Sequence, residues 1–568
     1  MLHVISADMA GSKIRANMNP MKHCTRFLFF AATLILLHSV LPTVTSPVSG
    51  ELHSFPYHLK DVFLFDKEVA EVLRHIVPPT PESERYLESY AGMTLDAMGV
   101  GGDVLNEAIL GNPLHVYALI KRLVLYWPRL QDVVYNTTKA KEVCHDKIQK
   151  CDEWINEKGC DAKHVDKICP YSCGFCQINE SNPALKAAES RTVLPSRSDL
   201  DGAAQSLALL QRVYLLPMEH LLNGRILDTD SSVRLTTWDI LRVARASADA
   251  GRWVNAWLWY DEAHSAFPDP DAQDHVADLL EFIEYQHDLN WRDDVGWKKD
   301  DNQFLFLFSA VPRQKPATCV YSDLCRGDRS KLRKQIPSGA PQCHVSSRGS
   351  PFLVLQPVKW EYLSHNPEMV VFPNFLSDEE VRIIIYLSRD HMTKDLGSGG
   401  RQSHQVFLAN STHPLLARLS RRIEDVTGLL AHEGATGEES AGDPIKVRYY
   451  GTGGHLNPHV DVFAKHVNST CDDNPICSRA GDRIATFMLY LNDVKAGGST
   501  AFYTSDVVVT PKTGTGVFWY NLKKNGEYDR RMDHGGCPVL LGSKWVAVKW
   551  IRENANFLRR PCSTDPEE

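Results

Sequence analysis

The sequence predicts a multidomain protein, with helical domains in its N-terminal part and an all-β sandwich or barrel with flanking helices at its C-terminal end. The chain has 568 residues, which is too long for a single hydrophobic core. In residues 51–136 and 199–288, apolar residues recur at three- and four-residue steps, a pattern typical of amphipathic helices. From Met369 onward, short runs such as "IATFMLYL" and "WVAVKWI" lie between Gly, Pro, Asn and Asp residues, a pattern typical of strands.

The composition indicates a globular protein and argues against one class of partner. Apolar residues make up 43% of the chain and charged residues 23%, which is ordinary for globular domains. The formal net charge of -8, without a strongly basic patch, argues against nucleic acid as the main partner.

The first segment, residues 1–49, has the layout of a secretory signal peptide. Lys22 and Arg26 precede the apolar run "FLFFAATLILLHSVL", and the small and polar stretch "PTVTSPVSG" follows it. The run is short for a bilayer span, and an uncleaved signal anchor remains the alternative. Most of the 14 cysteines lie after this segment, as expected in an oxidising compartment. Glycosylation triplets begin at Asn136, Asn179, Asn410 and Asn468. We therefore expect a glycoprotein in the lumen of the endoplasmic reticulum, within the secretory pathway.

Residues 50–140 are predicted to form a helical N-terminal domain. The stretches "DVFLFDKEVAEVLRHIV" and "NPLHVYALIKRLVLYWPRL" both place apolar residues on one helical face. Packing of the two faces against each other is the simpler interpretation, and a dimerisation or partner surface is the alternative.

Residues 144–176 are unusually rich in cysteine. The segment contains Cys144, Cys151, Cys160, Cys169, Cys173 and Cys176. So short a segment cannot build an adequate core, and three disulfides would hold it together. A zinc site is the alternative, because the C-x3-C-x2-C ending could supply thiolates. The spacing resembles that of the six-cysteine ShKT module.

Residues 196–312 are predicted to form a second helical domain. The stretch "WDILRVARASADAGRWVNAWLWYDEAHSAF" places small and aromatic residues as in a helix pair of the tetratricopeptide kind. Its aromatic residues, including Tyr260, are either core or a platform for a proline-rich peptide. Residues 313–365, with Cys319, Cys325 and Cys343, are predicted to be an irregular connector tied by at least one disulfide.

The stretch "GGHLNPHVDVFAKH" carries the first candidate metal ligands. Residues two apart on a strand project from the same face, so His459 and Asp461 could both point into a barrel. His534, in "RMDHGGCPVL", would supply a third ligand from a later strand. Two histidines and one carboxylate form the facial triad of non-haem Fe(II) oxygenases, which leaves coordination positions open.

Lys544 is the second candidate, because it places a positive charge at the start of the apolar strand "SKWVAVKW". A buried ammonium needs an anion to offset its desolvation, and the far carboxylate of a dicarboxylate would provide one. A metal triad and an anion anchor together indicate 2-oxoglutarate as the cosubstrate. An exposed lysine at a strand end is the simpler interpretation of Lys544 alone.

These motifs together resemble those of one enzyme family. The segments "YYGTGGHLNPHVD", "DRIATFMLYLNDVKAGGSTAFY", "HGGCPVLLGSKWVAVKWI" and "RRPC" are similar to the catalytic domain of the collagen prolyl 4-hydroxylase alpha subunit. The upstream helical stretches resemble that family's dimerisation and peptide-substrate-binding domains, whereas the six-cysteine module is an addition. The resemblance implies that residues 366–562 form an Fe(II)/2-oxoglutarate dioxygenase domain, a double-stranded β-helix or jelly roll.

The resemblance also implies roles for individual residues. It makes His459, Asp461 and His534 iron ligands and Lys544 the residue that holds 2-oxoglutarate, and together these are the implied catalytic residues. It places Thr486, Tyr490 and Trp550 around the cosubstrate, and Arg483 beside the peptide substrate. It pairs cysteines as Cys325 with Cys343 and Cys537 with Cys562.

The implied reaction is hydroxylation of peptidyl proline to 4-hydroxyproline, with oxygen consumed and succinate and carbon dioxide released. The implied cofactors are Fe(II) and L-ascorbate, with 2-oxoglutarate as cosubstrate. The implied partners are a proline-rich or collagen-like polypeptide, protein disulfide isomerase as a beta subunit, and a second copy of the chain through the N-terminal helices.

The sequence departs from the family pattern at two positions near the iron ligands. Leu456 stands where many members have tyrosine, and Arg552 stands where many have histidine. We expect Arg552 to pair with a carboxylate and so favour acidic proline peptides, unless it points to solvent and Leu456 simply packs. The rival functions are a non-catalytic lumenal protein that binds proline-rich chains and a hydroxylase of another residue or a non-collagen substrate.

Overall fold

The computed structural model of the protein describes residues 56–74, 81–95, 109–135, 151, 183–266, 270–290, 317–327, 343–395, 403–434, 440–463 and 475–565. The predicted signal segment lies outside these residues, as do most of the cysteine-rich segment and residues 313–316 and 328–342 of the connector. Among the described helices, none is both long and apolar enough to cross a bilayer.

Helices dominate the described residues before 328. In chain order they are α1 (Pro56–Arg74), α2 (Pro81–Leu95), α3 (Pro113–Lys121), α4 (Trp127–Tyr135), α5 (Pro183–Arg191), α6 (Arg197–Tyr214), α7 (Met218–Leu222), α8 (Thr237–Asp249), α9 (Trp253–Ala266), α10 (Pro270–Asn290) and α11 (Ala317–Arg326). A π-helical stretch, Arg122–Tyr126, joins α3 to α4. A short hairpin of β1 (Arg225–Ile226) and β2 (Thr229–Asp230) follows α7.

A side-chain capping box begins α6, and a buried ion pair ties two helical segments of this part together. Ser196 and Asp199 form a capping box at the start of α6, which satisfies two amide groups that the helix leaves unpaired. Arg122 and Asp66 are both fully buried, and their side chains meet at 2.6 Å. This pair ties α1 to the π-helical stretch, so the apolar faces of the N-terminal helices pack inward. The predicted dimerisation through them stays a prediction.

The C-terminal part is built from two antiparallel sheets. Its strands are β3 (Cys343–Ser346), β4 (Val358–His365), β5 (Glu368–Phe372), β6 (Thr393–Lys394), β7 (His404–Leu408), β8 (Ile445–Tyr450), β9 (Leu456–His459), β10 (Arg483–Tyr490), β11 (Ala496–Gly497), β12 (Thr500–Phe502), β13 (Val507–Val509), β14 (Gly516–Tyr520), β15 (His534–Gly536), β16 (Val539–Leu541) and β17 (Lys544–Arg552). The larger sheet has the order β3-β4-β5-β14-β10-β17-β8-β7-β6, and the smaller one has the order β13-β12-β15-β9. Strands β11 and β16 form a separate pair.

One apolar core lies between the two sheets and another lies behind the larger sheet. Met488 and Val546 of the larger sheet share the first core with Phe502 and Val509 of the smaller one. Two amphipathic helices, α12 (Asp378–Arg389) and α13 (Pro414–Thr427), pack into the second core. A short helix, α14 (Pro475–Ala480), precedes β10. The predicted division into a helical N-terminal part and a sheet-rich C-terminal part is confirmed. The tetratricopeptide and jelly-roll assignments stay predictions.

The helical part packs directly against the sheets through the β11–β16 pair. Leu540 and Leu541 lie in the core of the helical part. Gly542 donates its amide proton to the carbonyl of Gly111 at 2.8 Å. A side chain at Gly497 would collide with the hydroxyl of Tyr214, because the position of its Cβ lies 2.5 Å from that oxygen. The backbone there also has a positive φ, so glycine is required for this close contact.

Candidate active site

The three predicted metal ligands meet where β9 and β15 pair. The antiparallel register places His534 opposite His459, and Asp461 follows two residues after β9 ends. One ligand atom from each side chain lies within 4.8 Å of the other two. The Nε2 atoms of His459 and His534 lie 3.6 and 3.8 Å from the carboxylate oxygens of Asp461. Two imidazole nitrogens and one carboxylate oxygen match the donor set of a non-haem Fe(II) site.

Hydrogen bonds hold each ligand in an orientation suited to a metal. The Nδ1 atom of His459 lies 2.8 Å from the carbonyl of Asn457, and that of His534 lies 2.9 Å from the carbonyl of Met532. An Nδ1–H that donates to a carbonyl leaves the Nε2 lone pair for a metal. Thr486 donates its hydroxyl proton to Asp461 at 2.8 Å, which fixes the carboxylate.

Burial and mutual charge keep the ligands in the protonation state that a metal requires. Burial, followed by the proximity of His459, lowers the pKa of His534 to about 4. Burial alone would raise the pKa of Asp461. The proximity of His459 and His534 outweighs that effect, so the pKa of Asp461 lies well below its ordinary value. At neutral pH the site therefore holds a neutral His534 and an ionised Asp461.

The triad opens onto a cavity between the sheets with a volume of about 230 Å³. The cavity wall includes apolar side chains of the larger sheet, among them Met488, Val546 and Val548. Four cationic side chains also line it, namely Lys446, Arg448, Arg483 and Lys544. Asp461 is the sole carboxylate among the described residues of the wall. The cavity is thus suited to an anionic ligand beside a cation.

Lys544 lies at one end of this cavity and is buried, with a relative exposure of 3%. Its Nζ atom lies 3.4 Å from the hydroxyl of Thr500 and 5.5 Å from the ring centres of Tyr450 and Tyr490. Burial lowers its pKa to about 7. Within the described part of the chain no carboxylate pairs with Lys544, so a bound anion would offset its desolvation.

Thr486, Tyr490 and Trp550 were predicted to surround the cosubstrate, and the structure places them differently from one another. Thr486 lines the cavity and holds Asp461. The hydroxyl of Tyr490 lies 2.8 Å from that of Thr500 and 3.1 Å from the carbonyl of Val509. Tyr490 therefore supports the Lys544 end from behind. Trp550 lines the cavity, and its buried Nε1 has no hydrogen-bond partner among the described residues.

The expectation for Arg552 at the substrate entrance is wrong. Its side chain is 1% exposed, donates from Nε to Asp443 at 2.6 Å, and donates from Nη1 to the carbonyl of Gly481 at 3.0 Å. A buried guanidinium that Asp443 and Gly481 hold in place cannot reach a substrate carboxylate. Asp443 also accepts from Arg483 at 3.2 Å, and the guanidinium of Arg483 lies 3.6 Å over the ring of Trp550, at the cavity wall.

For Tyr260 and Leu456 the structure supports the simpler interpretation, which is that both side chains pack in a core. Tyr260 is 5% exposed in the core of the helical part, so it offers little surface to a peptide. Leu456 is buried on the cavity wall and packs in the core between the sheets.

The predicted pairing of four cysteines is also wrong. A disulfide joins Cys325 to Cys537, whereas Cys343 and Cys562 are exposed and free. The reason is that α11 packs against β12 and β13, next to the strand that carries His534. The side chains of Cys325 and Cys537 share a small apolar cluster with Leu209, Val213 and Tyr321. The pairing therefore reflects tertiary packing.

The cysteine-rich segment remains untested. Cys151 and Cys477 are disulfide-bonded, and their partners lie outside the described residues. The other predicted cysteines of the segment also lie outside the described residues; they are Cys144, Cys160, Cys169, Cys173 and Cys176.

Three residues of the site were absent from the sequence-based expectations. Arg448 and Tyr450 project from β8 into the cavity, and Asn521 donates to the hydroxyl of Thr486 at 2.9 Å. The run "IKVRYY" contained a signal for the first two, because polar residues alternate on a strand that is buried along its whole length. Asn521 had no such signal, since it follows β14 and reaches the site only through the fold.

Comparisons with known proteins agree with this site. Residues 445–552 match the model of the 2OG-Fe(II) oxygenase superfamily. The chain is 31% identical over 434 residues to prolyl 4-hydroxylase subunit alpha-3 of Mus musculus, a match that covers 66% of this chain and 77% of that protein. It is 27% identical over 527 residues to prolyl 4-hydroxylase subunit alpha-2 of Caenorhabditis elegans, covering 85% and 87%.

Among solved structures, the viral collagen prolyl hydroxylase vCPH from Paramecium Bursaria Chlorella virus-1 is 22% identical. That match covers 32% of this chain and 94% of the viral one with a TM-score of 0.27, which is too low to support a conclusion. The matches to the alpha subunits and the oxygenase model suffice to assign the family. The chain belongs to the prolyl 4-hydroxylase alpha-subunit family, and its sheet-rich C-terminal part is a 2-oxoglutarate- and Fe(II)-dependent dioxygenase domain.

Proposed function

We propose that this protein hydroxylates peptidyl proline at C4, using Fe(II), oxygen and 2-oxoglutarate and releasing succinate and carbon dioxide. The observation that carries the proposal is the presence, in one cavity, of a His–Asp–His triad and a buried lysine without an anionic partner among the described residues. A metal and a dicarboxylate together fit that combination. Fe(II) and 2-oxoglutarate, when bound, supply the oxidation chemistry.

The chain's own residues perform the binding and the positioning. His459, Asp461 and His534 would hold the metal, because their ligand atoms lie together in the wall of the cavity. Lys544 donates to the distal carboxylate of the cosubstrate. Thr486 keeps the carboxylate of Asp461 turned toward the metal. The apolar wall between the two ends limits the access of water to the reacting atoms.

The target proline belongs at the metal end of the cavity, and a proline-containing peptide is the substrate class we propose. The related alpha subunits support this choice by name, and collagen-like repeats are the first sequences to test. L-ascorbate is expected as a reductant that keeps the iron in its Fe(II) state, as is typical of the family. We also propose that residues 196–312 bind the peptide substrate. The ShKT-like module is proposed as a further binding element.

The assembly and location that we propose follow from the family and the sequence. The layout of residues 1–49 supports entry into the secretory pathway and residence in the endoplasmic reticulum lumen, with glycosylation. The family supports protein disulfide isomerase as a beta subunit and dimerisation through the N-terminal helices. Co-purification from the lumen with protein disulfide isomerase would test both the location and the partner.

The activity is tested with the full chain, co-expressed with protein disulfide isomerase. The purified complex receives Fe(II), ascorbate, 2-oxoglutarate and one peptide from a panel of neutral Pro-Pro-Gly repeats, acidic proline peptides and lysine peptides. We expect succinate release together with a mass gain of one oxygen on a proline peptide. Binding of proline peptides without succinate release would favour the non-catalytic function, and oxygen addition to lysine would favour a different hydroxylase.

A further inference from the structure

Arg448 is a buried cation of the cavity that the proposed reaction does not yet use. It lies on β8 directly opposite Val546 of β17, and its neighbour two residues on, Tyr450, lies opposite Lys544. Residues 448 and 450 project from the same face of the strand, and both line the cavity. Arg448 is therefore the next residue on the cavity face of β8 after the one that lies opposite Lys544.

The guanidinium of Arg448 is only partly satisfied by the protein. Its Nη2 atom lies 3.1 Å from a carboxylate oxygen of Asp395, and the phenol of Tyr450 lies close to the guanidinium. Its Nη1 atom is buried and has no hydrogen-bond partner among the described residues. The side chain as a whole is only about 6% exposed. A buried N–H group without an acceptor is costly, so an acceptor in the cavity is the expected partner.

The position of Tyr450 indicates which ligand oxygen Nη1 meets. Tyr450 lies close to Arg448, and the Nζ atom of Lys544 lies 5.5 Å from the centre of the Tyr450 ring. Tyr450 therefore contacts both cations. A dicarboxylate that reaches the metal with one end presents two oxygens at its other end. Lys544 can serve one of these oxygens, and a second donor is needed for the other.

We propose that Arg448 is a specificity-determining residue that donates from Nη1 to the distal carboxylate of 2-oxoglutarate, alongside Lys544. The inference rests on the proposed function, because it assigns a further donor to the same cosubstrate. Two donors on one carboxylate make the cavity selective for 2-oxo acids that carry a second carboxylate. A carboxylate on an acidic peptide substrate has the same chemistry, and the experiment separates the two sources.

The test measures binding without turnover. The full chain is loaded with Mn(II) in the absence of oxygen, and calorimetry measures the affinity for 2-oxoglutarate and for 2-oxopentanoate, which lacks the distal carboxylate. The main variant is Arg448→Lys, which keeps the positive charge beside Asp395 but loses the forked donor. Arg448→Met removes the charge altogether. Lys549→Met is the control, because Lys549 is a buried cation on the neighbouring strand β17 that pairs with Glu433 and does not line the cavity.

We expect both Arg448 variants to weaken 2-oxoglutarate binding by roughly ten- to a hundredfold and to leave 2-oxopentanoate binding nearly unchanged. Lys549→Met should change neither affinity appreciably. Unchanged 2-oxoglutarate affinity in Arg448→Lys, with melting temperature retained, would overturn the inference. So would an equal loss in Lys549→Met, which would indicate a general effect of charge.

Two further outcomes keep the inference separate from the function on which it rests. If the wild-type chain binds no 2-oxoglutarate, the proposed function itself fails. If the Arg448 variants bind 2-oxoglutarate normally but discriminate less between acidic and neutral proline peptides, Arg448 serves the substrate and the inference is wrong. If Arg448→Met does not fold, Arg448→Lys alone decides the matter.

Discussion

The two ends of the active-site cavity differ in how far the protein itself satisfies their polar groups. At the metal end, backbone carbonyls hold His459 and His534, and a hydroxyl holds Asp461. At the other end, Lys544 has a single long contact with the hydroxyl of Thr500. The metal end is thus pre-organised by bonds within the chain, whereas the far end depends on a ligand to complete its charge balance.

The difference predicts which substitutions the protein tolerates least. Ligands that are already oriented lose the metal when one of them is removed, because two remaining side chains hold a divalent ion poorly. Removal of a donor that serves only the bound anion should weaken the binding of that anion and leave the rest of the site intact.

The largest effect is expected for His534→Ala. We expect succinate production to fall to background and the bound iron to be lost, while the melting temperature of the metal-free protein changes little. Activity and metal content by elemental analysis provide the two measurements. His455→Gln is the control, because His455 is also a buried imidazole but bonds to the carbonyl of Gly453 outside the triad. Near-normal succinate production by His534→Ala would remove this histidine from the metal site.

Lys544→Met should act on the cosubstrate alone. A hydrogen bond to a charged group contributes about 1.5–3 kcal/mol, so the KM for 2-oxoglutarate should rise roughly ten- to a hundredfold. Iron content should stay normal, which distinguishes this end of the cavity from the metal end. Lys549→Met is the control: Lys549 is equally buried on the same strand but pairs with Glu433 behind the sheet. An unchanged KM in Lys544→Met would end its assignment as the anchor.

Thr486→Val tests the pre-organisation of the metal end without removing a ligand. It deletes the hydroxyl that donates to Asp461 but keeps the shape of the side chain. Loss of a bond that orients a ligand typically costs about 10–100-fold in metal affinity, and we expect the lower end of that range because all three ligands remain. Competition with a metal chelator measures the affinity. Thr486→Ser should retain it, and an equal loss in both variants would point to packing instead.

The triad and Lys544 could be predicted from the sequence because each carries a local signal. His459 and Asp461 are two residues apart at a strand, and Lys544 interrupts an apolar run. Such periodicity reports which face of a strand a residue occupies, and the strands of the C-terminal part form as expected. The residues that determine the start of a helix are also neighbours in sequence, because the capping box of Ser196 and Asp199 lies within four consecutive residues.

The incorrect expectations all depend on contacts between distant parts of the chain. Arg552 pairs with Asp443, 109 residues away in sequence, and this pairing turns an expected entrance residue into a buried one. Cys325 and Cys537 are separated by 212 positions and meet only because α11 packs beside β12. Strand and helix periodicity contain no information about such partners, so the sequence could not distinguish these pairings from local ones.

The last effect we predict is a pH dependence confined to the Lys544 end. Burial lowers the pKa of Lys544 to about 7, so in the ligand-free cavity the amine loses its proton as the pH rises through that value. A carboxylate binds the ammonium form. Binding above about pH 7 therefore requires uptake of a proton, and the affinity for 2-oxoglutarate should fall by up to about tenfold per pH unit.

Calorimetry between about pH 6 and about pH 9 measures this slope, and buffers of different ionisation enthalpy measure the proton uptake directly. Lys544→Arg, which stays charged over this range, should remove both the slope and the proton uptake. A flat wild-type profile would mean that Lys544 remains fully protonated in the empty cavity, and the two ends of the site would then differ less than the structure indicates.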